Sequence, residues 1–202
     1  SAIAWICAEW FRAAKLRRVI QWTAAVLVAV LAGLGGAQSS LMGMLFLSAF
    51  GLSWAGEIWI GQRQNGLDVG AWMAIAARLL GCAALVIHGI DLDGLLVFAL
   101  MTLPIVWAFR DRMLPRARGR ILSSWLLMGM SFSLAGLALG ACWSMPGRGE
   151  QLVFLGAVVW LCSSGAWFLA GVVEARGSVR MLAGQAAYFP AQASLVWGAC
   201  LL

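Results

Sequence analysis

Apolar residues in this chain come in long runs, and polar residues collect in the short breaks between them. The runs are 1–11, 19–36, 40–61, 70–90, 94–109, 121–143, 151–173 and 179–202. Most approach the roughly 20 residues with which an α-helix spans a hydrocarbon core. Membrane barrel strands would instead show short alternating segments. The pattern therefore predicts an all-α, polytopic integral membrane bundle of about eight transmembrane helices, in a single domain covering 1–202. The run 1–11 is too short for this scheme. As a helix it rises only about 16 Å, half of a core. The expectation is a truncated first helix with residues preceding Ser1.

The breaks decide the orientation. The first, third, fifth and seventh, with the first residues of the run that follows the seventh, contain Arg12, Lys15, Arg17, Arg18, Arg63, Arg110, Arg112, Arg116, Arg118, Arg120, Arg176 and Arg180. Those are all of the 14 basic residues except Arg78 and Arg148. The alternate breaks contain Asp91, Asp93, Arg148 and Glu150. Lys and Arg accumulate in cytoplasmic loops. The expectation is eight crossings of a bacterial inner membrane, with basic loops cytoplasmic and both termini on the far side. The short breaks also predict that successive helices pack as antiparallel neighbours.

Composition agrees. Hydrophobic residues make up 63% and charged residues 11%, against about 25% charged in soluble domains. The net charge of +6 would point to nucleic acid in a soluble protein. Placed between apolar runs, it reads as headgroup contact, so membrane lipids are the expected partners and nucleic acid is not. Cys7, Cys82, Cys142, Cys162 and Cys200 have no metal-binding spacing and read as small buried hydrophobes. The first run lacks the basic start and small-residue cleavage site of a signal peptide. Trp10, Trp22, Trp59, Trp72, Trp107 and Trp143 lie near run ends, as interfacial anchors do. Trp54, Trp160 and Trp167 lie deeper and read as core. Small residues around Gly129, Ser133 and Ala135 predict a close helix contact there.

Ionisable groups within apolar runs are functional candidates by default. Glu57 lies about 8 Å and Arg78 about 12 Å inside their runs. The two runs are consecutive, so a Glu57–Arg78 ion pair is expected, with a structural and a catalytic role equally open. Gln21, Thr23, Ser53, Ser131, Ser133, Ser163, Ser164, Gln185, Tyr188 and Gln192 are less costly polar groups. Tyr188 and Gln192 share a helix face by their spacing, and Pro190 between them predicts a kink. His88, Asp91 and Asp93 read as a solvated loop rather than a metal site. No hydrolase triad, zinc or phosphate-loop signature occurs, and no cofactor is implied.

Several stretches together resemble the YhhN family of eight-helix membrane proteins, which includes lysoplasmalogenases. They are "KLRRVIQWTAAVLVAV", "MLFLSAFGLSWAGEIWI", "GAWMAIAARLLGCA", "GAVVWLCSSGAWFLAG" and "YFPAQASLVWG", in family order and spacing. The resemblance implies a substrate pocket of Gln21, Ser53, Arg78, Ser163, Ser164, Tyr188 and Gln192, with Glu57 as the acid–base group. The family's lysine falls at Gln21, its first aspartate at Glu57, its histidine at Arg78 and its second aspartate at Ser164. Tyr188, Ala191 and Gln192 keep the family pattern. The implied activity is hydrolysis of the vinyl ether of a lysoplasmalogen, which needs a proton donor and an activated water. The substitutions argue against it. Two readings stay open: a lipid-binding, degenerate hydrolase, and a non-catalytic accessory subunit of a larger membrane complex that binds lipid or pigment.

Overall fold

A computed structural model describes the backbone of residues 14–62, 66–113, 121–144, 146–172 and 179–202. Side chains are described from Trp22 to Gly56 and for residues 69–104, 126–143, 146–165 and 187–202, with Val19, Ile58, Val106 and Trp107 besides. The described residues are all-helical. They form α1 (Ala14–Leu34), α2 (Leu41–Gln62), α3 (Gly66–His88), α4 (Leu92–Met113), α5 (Ile121–Ser144), α6 (Arg148–Val172) and α7 (Val179–Leu201). A 3-10 turn, Ala37–Ser39, joins α1 to α2. Each helix covers one apolar run; the run 1–11 and Cys7 lie outside the described residues. Among the described residues, two stretches are long and apolar enough to cross a membrane, Val69–His88 and Leu126–Trp143. Shorter apolar stretches occupy Trp22–Leu34, Leu41–Gly56 and Leu92–Pro104.

Polar breaks end the helices for local reasons. Ser40 is the N-cap of α2 and accepts the Gly43 N–H at 3.0 Å, which satisfies one of the donors that a helix start leaves open. Asp91 does the same for α4 through the Asp93 N–H at 2.9 Å. Gly89 ends α3 with φ +107°, a conformation that a side chain makes costly.

The packing is a closed ring with two outer helices. α2 packs on α3, α3 on α5, α5 on α6, α6 on α7, and α7 returns to α2. α1 covers the seam between α7 and α2, and α4 lies outside against α5. Most successive helices pack as neighbours, as the short breaks predict; α4 is the exception, packing on α5 and not on α3. The face of α3 that α4 would need is taken by α5, where Leu134 meets Gly81. The Asp91 N–H donates to the Gly140 carbonyl at 3.2 Å and directs α4 onto α5. The outer helices turn large apolar residues outward: Val26, Val30 and Leu34 on α1, and Leu92, Leu96, Leu103 and Trp107 on α4.

The close contact expected around Gly129, Ser133 and Ala135 is met only in part: Ala135 is fully buried. Gly129 has nothing within 4 Å of where a Cβ would stand, and Ser133 is exposed. A long tight seam runs along α6–α7. A Cβ on Gly156 would stand 2.8 Å from the Leu195 nitrogen and 2.9 Å from the Ala191 oxygen. One on Gly198 would stand 2.8 Å from the Gly149 oxygen. Backbones approach this closely only where side chains are small. Repetition of small residues is common to both stretches, and periodicity alone does not say which one meets a partner. Among the cysteines, Cys82 is buried as expected, whereas Cys162 is exposed and Cys142 and Cys200 are partly exposed.

Candidate functional site

Arg78 is 4% exposed, on the side of α3 that faces the ring. Its guanidinium is held from three helices. Nε donates to Ser131 Oγ on α5 at 2.6 Å, and Nη2 to Ser164 Oγ on α6 at 2.6 Å. Nη1 donates to the Ala74 carbonyl one turn back in α3 at 2.8 Å. Cζ lies 4.4 Å from the centroid of the Trp160 ring, within cation–π range. Trp160 is 1% exposed, so it is core, as expected, and also the platform for Arg78. The serines point their lone pairs at Arg78 because their protons have other acceptors. Ser131 Oγ lies 2.8 Å from the Leu127 carbonyl and Ser164 Oγ 2.9 Å from the Trp160 carbonyl, each the i−4 carbonyl that a helical serine reaches.

A second polar group joins α2 to α7. The Tyr188 hydroxyl donates to Ser53 Oγ at 2.6 Å, and Gln192 Nε2 approaches the same oxygen at 3.5 Å. All three residues are buried. The helix registers place both groups at one depth. Gly56 faces Gly70 and Met73, while Phe46 faces Gly81, so Ser53 stands level with Ala74. Gly156 faces Ala191 and Leu195, which sets Trp160 level with Tyr188. The result is one buried polar layer across the ring, with a member from each of its five helices.

Of the residues expected at the site, Ser53, Arg78, Ser164, Tyr188 and Gln192 meet in this layer. Ser163 is buried beside Ser164. The side chains of Glu57 and Gln21, and with Glu57 the expected Glu57–Arg78 pair, lie outside the described residues, as do those of Trp10, Trp59, Trp167 and Gln185. The backbone of Glu57 stands in α2 one turn beyond Ser53. Ser131 and Trp160 belong to the layer and were not expected there. Ser131 and Ser133 are equivalent by sequence; only the rotation of α5 turns Ser131 inward and Ser133 outward. Trp160 is indistinguishable from ordinary core until Arg78 is placed on it.

At the other end of the ring, His88 Nε2 lies 3.5 Å from Glu150 Oε1. This ties the end of α3 to the start of α6, so His88 faces a partner rather than a solvated loop with Asp91 and Asp93. Among the described residues, no group of three or more His, Cys, Asp or Glu could hold a metal ion.

The layer is rich in donors. Its members among the described side chains are one guanidinium, hydroxyls, a carboxamide and an indole. Such a set orients and binds acceptor groups; a guanidinium stays protonated and cannot act as a base. No family model, no curated protein and no solved structure matches this chain.

Proposed function

We propose that this protein is an eight-span integral membrane protein of the bacterial inner membrane, with basic loops cytoplasmic, whose central polar layer binds a lipid. The reading follows the resemblance to the YhhN family in architecture and departs from it in chemistry. The chain stands as a lipid-binding relative with a degenerate vinyl-ether hydrolase site.

The observation that carries it is the environment of Arg78. Its three nitrogens meet Ser131, Ser164 and a backbone carbonyl, at a position where the resemblance implies a histidine. Ser164 stands where it implies an aspartate. Vinyl-ether hydrolysis needs a proton donor of tuned acidity and a base for water. The described layer supplies hydrogen bonds and charge instead. Polar groups inside a membrane-spanning bundle are expensive and mark ligand paths, which supports binding as their role. The outward apolar faces of α1 and α4 suit a lipid environment.

The test is aldehyde release from lysoplasmalogen by the purified full chain. The expected result is no release above a protein-free control. Robust turnover that disappears in Glu57→Gln would overturn the reading in favour of a working hydrolase. The accessory-subunit alternative rests on the Leu92–Trp107 ridge of α4 receiving another protein. A stoichiometric partner retained through mild-detergent purification would favour it.

A further inference from the structure

Helix α1 stands between the outside of the bundle and the polar group of Ser53, Tyr188 and Gln192. Ala25, Val28 and Ala32 of α1 form one buried cluster with Phe50 of α2 and Val196 of α7, and Trp54, Ala193 and Cys200 pack against it. Ser53 precedes Trp54 in α2, and Gln192 precedes Ala193 in α7. The side chains that α1 covers are thus the immediate neighbours of the polar group.

The two ends of α1 are held differently. At the outer end, Cys200 Sγ lies 3.9 Å from the Ala32 carbonyl and 2.7 Å from where a Cβ on Gly35 would stand. That end is seated on α7. Gly33, Gly35 and Gly36 lie there, Gly36 with φ +77°, and glycine gives the backbone freedom to pivot. Further along, Trp22 meets Trp54 edge to face, with ring centroids 4.5 Å apart at 87°, and Trp22 is itself half-exposed. Among the described side chains of α1, those buried are Ala24, Ala25, Val28 and Ala32, and small side chains make few dispersion contacts. The Thr23 hydroxyl is spent within α1, donating to the Val19 carbonyl at 2.8 Å.

Trp54 also favours an opening at this seam. Its indole Nε1 is buried without a hydrogen-bond partner, and a buried donor left unmade costs its desolvation. An oxygen-bearing ligand that parts Trp22 from Trp54 supplies the missing acceptor.

We propose that α1 is a lateral gate, which pivots about residues 33–36 and admits a single-chain amphiphile from the bilayer to Ser53, Tyr188 and Gln192. Trp22 is the latch, closing on Trp54. Trp54 Nε1 is the first donor that an entering headgroup meets. The proposal rests on the lipid-binding reading and adds the route of entry.

The test follows binding and release of radiolabelled oleoyl lysophosphatidylcholine by the purified full chain in neutral detergent. Ala32 lies against Cys200, and Val28 and Val196 share the buried cluster one turn back on each helix. In a variant with the five native cysteines replaced, Val28→Cys with Val196→Cys therefore gives a disulfide that locks α1 down. The oxidised form is expected to bind and release the lipid roughly tenfold more slowly than the reduced form, or slower still. Trp22→Ala removes the latch and should speed both steps by roughly two- to tenfold, the contribution of one aromatic pair. Unchanged rates in the oxidised form overturn the gate and leave lipid binding standing. If no disulfide forms, Trp22→Ala decides alone, and unchanged rates in that variant overturn the gate. Failure of the unaltered protein to bind the lipid overturns the lipid-binding reading, and the gate with it.

Discussion

The Tyr188 hydroxyl donates to Ser53 Oγ at 2.6 Å, joining residues 135 positions apart. The bond ties α7 to α2, and that contact closes the five-helix ring. The one tyrosine in the chain thus acts at the point where the first and last members of the ring meet.

Tyr188→Phe removes that bond and keeps the ring packed edge-on to Phe189. Hydrogen bonds between membrane helices contribute about 0.6 kcal/mol on average and up to about 1.7. The variant is expected to lose about 1 kcal/mol of stability, read as a small drop in melting temperature in detergent. A loss of several kcal/mol would show that the hydroxyl does more than bridge Ser53.

Gly156→Ala and Gly129→Ala make a matched pair. At Gly156 the new Cβ would lie 2.8 Å from the Leu195 nitrogen and force α6 and α7 apart, at a cost of about 1–3 kcal/mol or more. At Gly129 the Cβ meets open space, and alanine favours a helix over glycine by about 0.5–1 kcal/mol. Melting temperatures should therefore move in opposite directions. Similar shifts for both would contradict the α6–α7 seam.

Arg78→Lys keeps the charge and loses the fork. An ammonium on a flexible stem cannot reach Ser131 Oγ and Ser164 Oγ together while lying flat on Trp160. The expected outcome is a stability loss of about 1–3 kcal/mol, the range for hydrogen bonds to charged groups, read as a drop in melting temperature in detergent. A fully stable variant would show that only the charge matters.

Orientation is checked by cysteine labelling in intact cells, in a variant with the five native cysteines replaced. A cysteine at Asp93, which is exposed beside the α3–α4 turn, should react with an impermeant maleimide from outside. A cysteine at Arg116 should react only after the cells are opened. The reverse pattern would invert the topology that the basic breaks imply.

The helices themselves were legible in the sequence. Apolar runs bounded by glycine, proline and charge set α1 to α7 to within a few residues, because a helix satisfies its own backbone and needs no partner to be recognised. Most of the site was legible too. Ser53, Arg78, Ser164, Tyr188 and Gln192 stand out as polar residues in apolar surroundings. Ser131 did not stand apart from Ser133, and Trp160 did not stand apart from Trp54 and Trp167.

Sequence alone therefore determined the class of fold, the helix bounds and the cost of placing Arg78 in an apolar helix. Those are local or compositional properties. Only the tertiary structure decided which helices touch, since Gly129 and Gly156 present similar small surfaces and just one meets a backbone. It also decided what Arg78 meets. The rotation of α5 and α6 brings Ser131, Ser164 and Trp160 to the guanidinium across 53 and 86 positions of chain. A periodic pattern names the inward face of a helix within a wide stripe, and the choice within that stripe is made by the neighbouring helices.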